Sequence, residues 1–103
     1  MQLRIKATNL ELTQALKDYI TEKFQSLDKY LGSIEANHCD VEVELTTHHH
    51  RKGDIFRAEV NLDVPHELLR VEKTEEDLYK AIDKVKDHLV ENLTRYKEKQ
   101  RDA

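Results

Sequence analysis

The hydrophobic residues of this chain recur with two different periods, and the changes of period predict where its secondary-structure elements begin and end. Residues 2–8 alternate between apolar and polar positions, which is the pattern of a strand with one buried face. From Thr13 the apolar residues recur at steps of three and four, which predicts one long amphipathic helix that ends at Gly32. Alternation returns over 39–46 and 56–64, which predicts two long strands paired as a hairpin.

The last third of the chain predicts one more strand and one more helix. Pro65 ends the second hairpin strand, and a weaker alternation from Leu68 to Lys73 predicts a fourth strand. Thr74 is then expected to cap a helix whose apolar stripe continues to Tyr96. Because each strand has one apolar face, the sequence predicts a single α+β domain over residues 1–103, in β-α-β-β-β-α order. We expect one four-stranded, mostly antiparallel sheet with both helices packed on one face.

The other face of the predicted sheet carries both signs of charge and no aromatic residue. Its side chains are Arg4, Lys6, Glu42, Glu44, Arg57, Glu59 and Asn61. Such a mixture is typical of cross-strand pairs on a solvated surface. Sheets that bind single-stranded RNA use exposed aromatic side chains for base stacking, so we do not expect an RNA-recognition-motif mechanism.

Net charge alone argues against a nucleic-acid partner, but the cations are unevenly distributed. The chain has 21 acidic and 17 basic residues, which gives a formal charge of -4. Positive side chains gather on the two helices: Lys17, Lys23 and Lys29 on the first, and Lys80, Lys84, Lys86, Arg95, Lys97, Lys99 and Arg101 on the last. Such lysines often serve solubility or pair with neighbouring carboxylates, whereas cations gathered on one surface bind phosphate. Composition leaves both interpretations open.

The single cysteine and the lack of an export or membrane segment predict a reducing, cytoplasmic setting. Cys39 cannot form an internal disulfide, and its place in a strand predicts a small buried side chain rather than a reactive thiol. No secretory signal follows Met1. No apolar run approaches the roughly 20 residues that span a bilayer, so we expect no membrane partner.

Three consecutive histidines are the most conspicuous candidate for a metal site, but strand geometry argues against one. Alternation places His48 and His50 on one face and His49 on the other, so at most two of them share an ion. Zinc requires three or four protein ligands, and His38 and Cys39 lie at the far end of the same strand. We expect a polar hairpin tip and no metal.

Catalysis and nucleotide cofactors find little support in the sequence. The two glycines, Gly32 and Gly53, lie in no loop of the kind that wraps phosphates with backbone N–H groups. The carboxylates that can be placed lie on exposed faces, where general-base behaviour is weak. We therefore expect a protein that is not an enzyme and uses no cofactor or small-molecule substrate.

Three segments resemble a known family. Residues 77–83, Asp-Leu-Tyr-Lys-Ala-Ile-Asp, are similar to the Asp-Met-Tyr-Ala-Ala-Ile-Asp signature that opens the last helix of the hibernation-promoting factor and ribosome-associated inhibitor family, also called the sigma-54 modulation protein family. Residues 9–17 resemble the start of that family's first helix, and residues 23–30 resemble its end. The chain is thus similar to the short members of this family.

The resemblance implies a fold, a function and a set of site residues. The implied fold is a βαβββα sandwich related to double-stranded-RNA-binding domains. The implied function is binding to the small ribosomal subunit near the decoding region, where the domain blocks mRNA and tRNA and inhibits translation. Matched positions for ribosomal RNA contacts are Lys17, Lys23, Lys29, His88, Arg95, Lys97 and Lys99, and we add Lys80, Lys84 and Lys86 from the same helix.

Two departures from the family pattern qualify this expectation. Glu91 stands where the family commonly has arginine, and Thr94 stands where it often has a further cation, so the middle of the last helix loses positive charge. The chain stops soon after Arg101, so we expect a short form without a C-terminal dimerisation domain. Short members of the family either promote ribosome pairing together with a second hibernation factor or oppose it, and the sequence leaves both alternatives open. The alternative is a general double-stranded-RNA-binding or protein-interaction module of the same fold.

Overall fold

The structure, a computed structural model, describes residues 1–49 and 53–102. The elements are β1 (Gln2–Thr8), α1 (Gln14–Gln25), α2 (Asp28–Leu31), β2 (His38–His49), β3 (Gly53–Val64), β4 (Glu67–Glu75) and α3 (Leu78–Asp102). The strands form one sheet in the order β1-β2-β3-β4, in which β1 is parallel to β2 and the other two pairs are antiparallel. The predicted fold class is therefore confirmed.

Both long helices cover the same face of the sheet, and the core lies between them and that face. It contains Leu16, Ile20 and Phe24 from α1, Ile82, Val85 and Leu89 from α3, and Val41, Val43, Val60 and Leu62 from the central strands. Tyr96 near the end of α3 is 2% exposed, and its hydroxyl donates a 2.7 Å hydrogen bond to the carbonyl oxygen of Pro65. That bond satisfies the one polar atom of a ring that is otherwise packed in apolar surroundings.

The prediction of one unbroken helix from Thr13 to Gly32 is wrong at its C-terminal end. The start is as expected, because the Thr13 hydroxyl accepts a 3.2 Å hydrogen bond from the Leu16 amide. However, α1 ends at Gln25, where the Ser26 hydroxyl donates to the Lys23 carbonyl at 2.6 Å. A serine that binds a preceding carbonyl competes with the helical hydrogen bonds, and the chain resumes as the four-residue α2. Leu27 remains buried, which is why the apolar spacing concealed the break.

The predicted boundary between the last strand and the last helix is also wrong. Thr74 belongs to β4, where it pairs with Arg57, and the strand continues for one more residue. The ladder with the long strand β3 supplies backbone partners there, so the chain stays extended beyond the expected end at Lys73. Instead, Asp77 caps α3: its Oδ1 accepts hydrogen bonds from the amides of Tyr79 at 2.9 Å and Lys80 at 3.3 Å.

Candidate nucleic-acid interface

Lysine and tyrosine side chains line the surface between α1, α2 and α3, on the side of the molecule away from the sheet. We call this the interhelical surface and define it as Tyr19, Lys23, Lys29, Tyr30, Tyr79, Asp83, Lys86 and Lys97. Each lies on the flank of its helix, next to the apolar stripe that faces the sheet. Four of these eight side chains are lysines and one is an aspartate, so the surface is positively charged although the whole chain is acidic.

Asp83 joins α3 to α1 at one end of this surface. Its Oδ1 accepts a 2.5 Å hydrogen bond from the Tyr19 hydroxyl and lies 3.3 Å from the Lys23 ammonium nitrogen. The same ammonium lies 5.5 Å from the centre of the Tyr19 ring, within the range of a cation–π contact. Burial, followed by the hydrogen bond to Asp83, raises the pKa of Tyr19 to about 12. The Tyr19 hydroxyl therefore remains protonated and donates to Asp83 at neutral pH.

Tyr79 extends the same end of the surface towards solvent. Its ring packs edge-to-face against Tyr19, with centres 4.7 Å apart and an angle of 79° between the planes. The side chain is nevertheless 43% exposed. The Tyr79 ring thus packs against Tyr19 while part of the side chain stays exposed to solvent.

A second group of cations surrounds Tyr30 in α2. The ammonium nitrogens of Lys29 and Lys86 lie 5.2 Å and 5.7 Å from the centre of its ring. Lys97 donates a 2.7 Å hydrogen bond to the carbonyl oxygen of Tyr30. Cations from α2 and from two separate turns of α3 therefore meet at one residue, although they are far apart in sequence.

The predicted cations on the opposite flank of α3 are occupied by partners. Lys84 forms an ion pair with Glu75, and Lys99 lies 3.3 Å from Glu67, so both bind carboxylates of β4. Arg95 donates to the side-chain oxygen of Asn92 within its own helix. Two of the three cations of this flank are therefore paired with carboxylates, whereas Arg95 bonds a neutral amide and keeps its positive charge.

The three remaining predicted site residues, Lys17, Lys80 and His88, do not belong to the interhelical surface. Lys17 contributes to a cleft beside β1, together with Leu3, Ile5 and Asp28. Lys80 borders a cleft at the N-terminal end of α3 that contains Glu75, Glu76 and Asp77. His88 is half-buried and, four residues after Lys84, falls on the β4 flank by helical spacing. The ten predicted residues thus divide over several surfaces instead of forming one cluster.

The residues that depart from the family pattern lie on the outward side of α3. Glu91 is exposed, and the hydroxyl of Thr94 donates a 2.9 Å hydrogen bond back to the carbonyl oxygen of Val90. Neither presents a free donor to a phosphate. The outward side of α3 therefore lacks a cation at these two positions.

The open face of the sheet neutralises its own charges, as the alternation predicted. Arg57 lies at its centre, and its guanidinium contacts four carboxylates: Glu42 at 2.6 Å, Glu44 at 2.7 Å, Glu59 at 3.3 Å and Glu72 at 3.6 Å. Next to it Arg70 contacts Glu59 and Glu72, and Arg4 contacts Asp40 at 2.5 Å. The three arginines of this face are thus committed to carboxylates.

These contacts lower the pKa values of Glu42 and Glu59. Hydrogen bonds from Thr8 and Arg57 lower the pKa of Glu42. Partial burial works in the opposite direction at Glu59, but hydrogen bonds from Arg70 and Asn61 outweigh it and lower that pKa as well. The carboxylates of Glu42 and Glu59 therefore stay ionised at neutral pH and keep their arginine partners.

Other candidate sites remain without support in the described residues. Cys39 is fully buried, and burial raises the pKa of its thiol to about 12, so the predicted inert side chain is confirmed. Within residues 1–49 and 53–102 there is no group of three metal-ligating side chains. The side chains of His48, His49 and His50 lie outside the described part, so the prediction about them stays a prediction. No helix in the described ranges is long and apolar enough to cross a membrane.

Sequence reasoning missed the tyrosines of the interhelical surface. Tyr79 and Asp83 both belong to the segment that carried the family resemblance, but their partner in α1 is Tyr19, 64 residues before Asp83. The four-residue spacing of Tyr19 and Lys23 was the available signal, since it places both on one side of α1. Their convergence with α3 depends on how the helices pack.

Comparison with solved structures places this domain in a class of small α+β domains of the same fold. The N-terminal domain of Thermus thermophilus Protein Y matches with a TM-score of 0.78 and 34% identity, covering 93% of this chain and 99% of that one. A ribosomal subunit interface protein from Coxiella burnetii has a TM-score of 0.71 at 16% identity, covers 95% and 99% of the two chains, and supports the fold alone. The chain belongs to the family described as Sigma 54 modulation protein / S30EA ribosomal protein, which matches residues 3–101. The recognition of this family in the sequence is therefore confirmed.

Curated relatives agree with this assignment. The ribosome hibernation promoting factor of Escherichia coli is 32% identical over 99 residues, which cover 96% of each chain. The ribosome hibernation promotion factor of Deinococcus radiodurans is 35% identical over 95 residues, which cover 91% of this chain but 48% of that protein. Members of the family are ribosome hibernation and modulation factors and not enzymes, in agreement with the sequence-based expectation.

Proposed function

We propose that this chain is a ribosome hibernation factor that acts in the cytoplasm. It binds the small ribosomal subunit near the decoding region as one domain and inhibits translation by occupying the space that mRNA and tRNA need. The names of its relatives support the hibernation role. The partner is ribosomal RNA, and the contact requires no cofactor, membrane or small-molecule substrate.

One observation carries the assignment of the binding surface: the unpaired cations of the molecule are concentrated on its helix side. In the described part of the chain Lys29, Lys86 and Lys97 form no ion pair with a carboxylate, whereas Arg57 and Arg70 of the sheet form several. An unpaired ammonium gains a phosphate contact without giving up an existing partner. The interhelical surface is therefore the preferred side for a polyanion.

The predicted contact residues differ in how readily they can bind phosphate. Lys29, Lys86 and Lys97 are free of carboxylates, and Lys23 shares its charge with Asp83. Lys84 and Lys99 must first leave the glutamates of β4, so we assign them a secondary role. The blocking step is steric: a domain held rigid by its core excludes tRNA and mRNA from the volume that it fills.

The experiment is sedimentation of the purified protein with small ribosomal subunits, with and without competing initiator tRNA. Lys86→Glu reverses one charge on the interhelical surface, and Lys6→Glu is the matched control because it makes the same charge change on the open sheet face. We expect Lys86→Glu to reduce cosedimentation and Lys6→Glu to leave it near that of the unmodified protein. Equal losses for both variants, or undiminished binding in the presence of tRNA, would overturn the proposal.

A further inference from the structure

The aromatic residues of the interhelical surface narrow the kind of RNA that it binds. We infer that this surface binds unpaired nucleotides. One base stacks on the exposed ring of Tyr79, and the neighbouring lysines contact the adjoining phosphates. This inference rests on the proposed function and deepens it by naming the RNA class. It differs from binding to duplex, whose bases are stacked on one another and present no free face.

The first observation is the solvent exposure of the Tyr79 side chain. Of the described residues, three large hydrophobic side chains are exposed: Met1 at 39%, Leu68 at 57% and Tyr79 at 43%. Tyr79 alone among them is aromatic, and it packs against Tyr19, whose ring centre lies 5.5 Å from the Lys23 ammonium nitrogen. Aromatic side chains exposed next to cations are the usual means by which proteins bind single-stranded nucleic acid.

The second observation is that the ring is held in position before any ligand binds. Tyr79 packs edge-to-face on Tyr19, and the hydroxyl of Tyr19 is fixed by its 2.5 Å hydrogen bond to Asp83. Asp83 is four residues after Tyr79 on the same helix, so both lie on the side of α3 that faces Tyr19. A platform that is already ordered loses little conformational entropy when a base stacks on it.

The third observation is the order of rings and cations along the surface. The Lys23 ammonium lies 5.5 Å from the Tyr19 ring, so it is close to the ring on which Tyr79 packs. Lys86 follows Tyr79 by seven residues, which places it about 10 Å further along the same side of α3. There its ammonium lies 5.7 Å from the centre of the Tyr30 ring, which the Lys29 ammonium also approaches. Alternation of rings and positive charges matches the alternation of bases and phosphates in an extended strand.

Substitutions at Tyr79 separate stacking from charge. Tyr79→Phe keeps the ring, and Tyr79→Leu keeps an apolar side chain without an aromatic face. Because the Tyr79 hydroxyl has no hydrogen-bond partner among the described residues, Tyr79→Phe should leave the fold unchanged. Tyr79→Leu also removes the edge-to-face contact with Tyr19, so a thermal melt checks that both variants are folded under the assay conditions. Leu68→Ala is the matched control for loss of an exposed apolar side chain on the sheet side.

The measurement is fluorescence anisotropy with a labelled single-stranded oligouridine and with an RNA hairpin of equal phosphate number, repeated with small subunits. We expect the oligouridine to bind more tightly than the hairpin stem. We expect Tyr79→Phe and Leu68→Ala to bind within about twofold of the unmodified protein, and Tyr79→Leu to bind the oligouridine and the subunits about 5- to 100-fold more weakly.

The outcomes separate this inference from the proposed function. If Tyr79→Leu binds subunits like the unmodified protein while Lys86→Glu does not, base stacking is overturned and ribosome binding through phosphates stands. Preference for the hairpin stem would equally overturn the choice of unpaired nucleotides. If neither substitution changes subunit binding, both the inference and the proposed surface are overturned.

Discussion

The hydroxyl of Tyr19 in α1 donates a 2.5 Å hydrogen bond to Oδ1 of Asp83 in α3. The ammonium of Lys23 lies 3.3 Å from the same oxygen, so one carboxylate of the last helix holds two side chains of the first. A negative charge at this position has opposite effects on fold and on function. It fixes the two helices relative to each other, and it weakens the field that attracts phosphate.

Two substitutions of Asp83 distinguish these effects. Asp83→Asn keeps an acceptor for Tyr19 but removes the charge, so we expect a melting temperature near that of the unmodified protein and RNA binding up to about fivefold tighter at low salt. Asp83→Ala removes the acceptor, which should cost about 1 kcal/mol and lower the melting temperature by about 4–8 °C. Thermal melts and anisotropy titrations measure both. Weaker RNA binding by Asp83→Asn would show that the charge positions Lys23 more than it repels phosphate.

The same hydrogen bond predicts a dependence of stability on alkaline pH. The pKa of Tyr19 is raised from 10.0 to about 12, so the folded state holds this proton more tightly than the unfolded chain. The resulting stabilisation is complete below about pH 10 and is lost as the pH rises towards 12. We expect Tyr19→Phe to lack this part of the alkaline decline in unfolding free energy. A tyrosinate absorbance titration that gives Tyr19 an ordinary midpoint would contradict the prediction.

The order of the elements could be predicted because each has a clear hydrophobic period. The predicted boundaries were wrong where strand pairing or a local side-chain hydrogen bond determines the backbone conformation. The ladder with β3 keeps Thr74 in a strand although its type suits a helix cap, and the hydroxyl of Ser26 ends α1 within an unbroken apolar pattern. Periodicity reports which side chains face the core and does not report how the backbone carbonyls are satisfied.

The candidate site could be predicted only in part, for a related reason. Sequence places lysines on helices but does not show which of them meet a carboxylate across the fold. Lys86 and Lys84 are two residues apart, yet one lies over the Tyr30 ring and the other binds Glu75 of β4. Which of these cations are free and which are paired depends on how α3 is oriented about its own axis relative to the sheet. The chemical environment of Tyr19 is decided in the same way by packing.

Cys39 gives a prediction about reactivity. Its side chain is fully buried, and the pKa of its thiol is raised to about 12, chiefly by burial. Because the thiolate is the reactive form, we expect no modification by a thiol reagent in the folded protein at pH 8 and complete modification in denaturant. Rapid labelling without denaturant would mean that the strand around Cys39 opens far more readily than its place in the core indicates.

Salt dependence tests how many phosphates the interhelical surface contacts. If Lys23, Lys29, Lys86 and Lys97 each neutralise one phosphate, a threefold rise in salt should weaken RNA binding about 20- to 50-fold, with the smaller value for single strands. Combining Lys86→Glu with Lys97→Glu should lower the slope of log affinity against log salt, and Tyr79→Leu should lower affinity without changing that slope. A slope near zero in the unmodified protein would contradict phosphate anchoring by these lysines.

Substitutions of Arg57 test whether the sheet face can lose stability without a change in RNA binding by the helix side. Its side chain is 16% exposed and lies among Glu42, Glu44, Glu59 and Glu72, so Arg57→Ala leaves like charges close together. We expect a loss of about 3 kcal/mol in unfolding free energy, measured by denaturant titration, and a smaller loss for Arg57→Lys, which keeps the charge but not the fork of donors. The folded variants should bind RNA like the unmodified protein.

The Arg57 effect should also depend on pH in a defined direction. The pKa values of Glu42 and Glu59 are lowered in the folded state from 4.5, so their contribution to stability is present above about pH 4.5 and is lost as the pH falls further. The difference in stability between the unmodified protein and Arg57→Ala should therefore shrink in acid, as the carboxylates take up protons. A difference that stays constant down to pH 3 would mean that Arg57 stabilises the sheet by packing of its aliphatic stem and not through its charge.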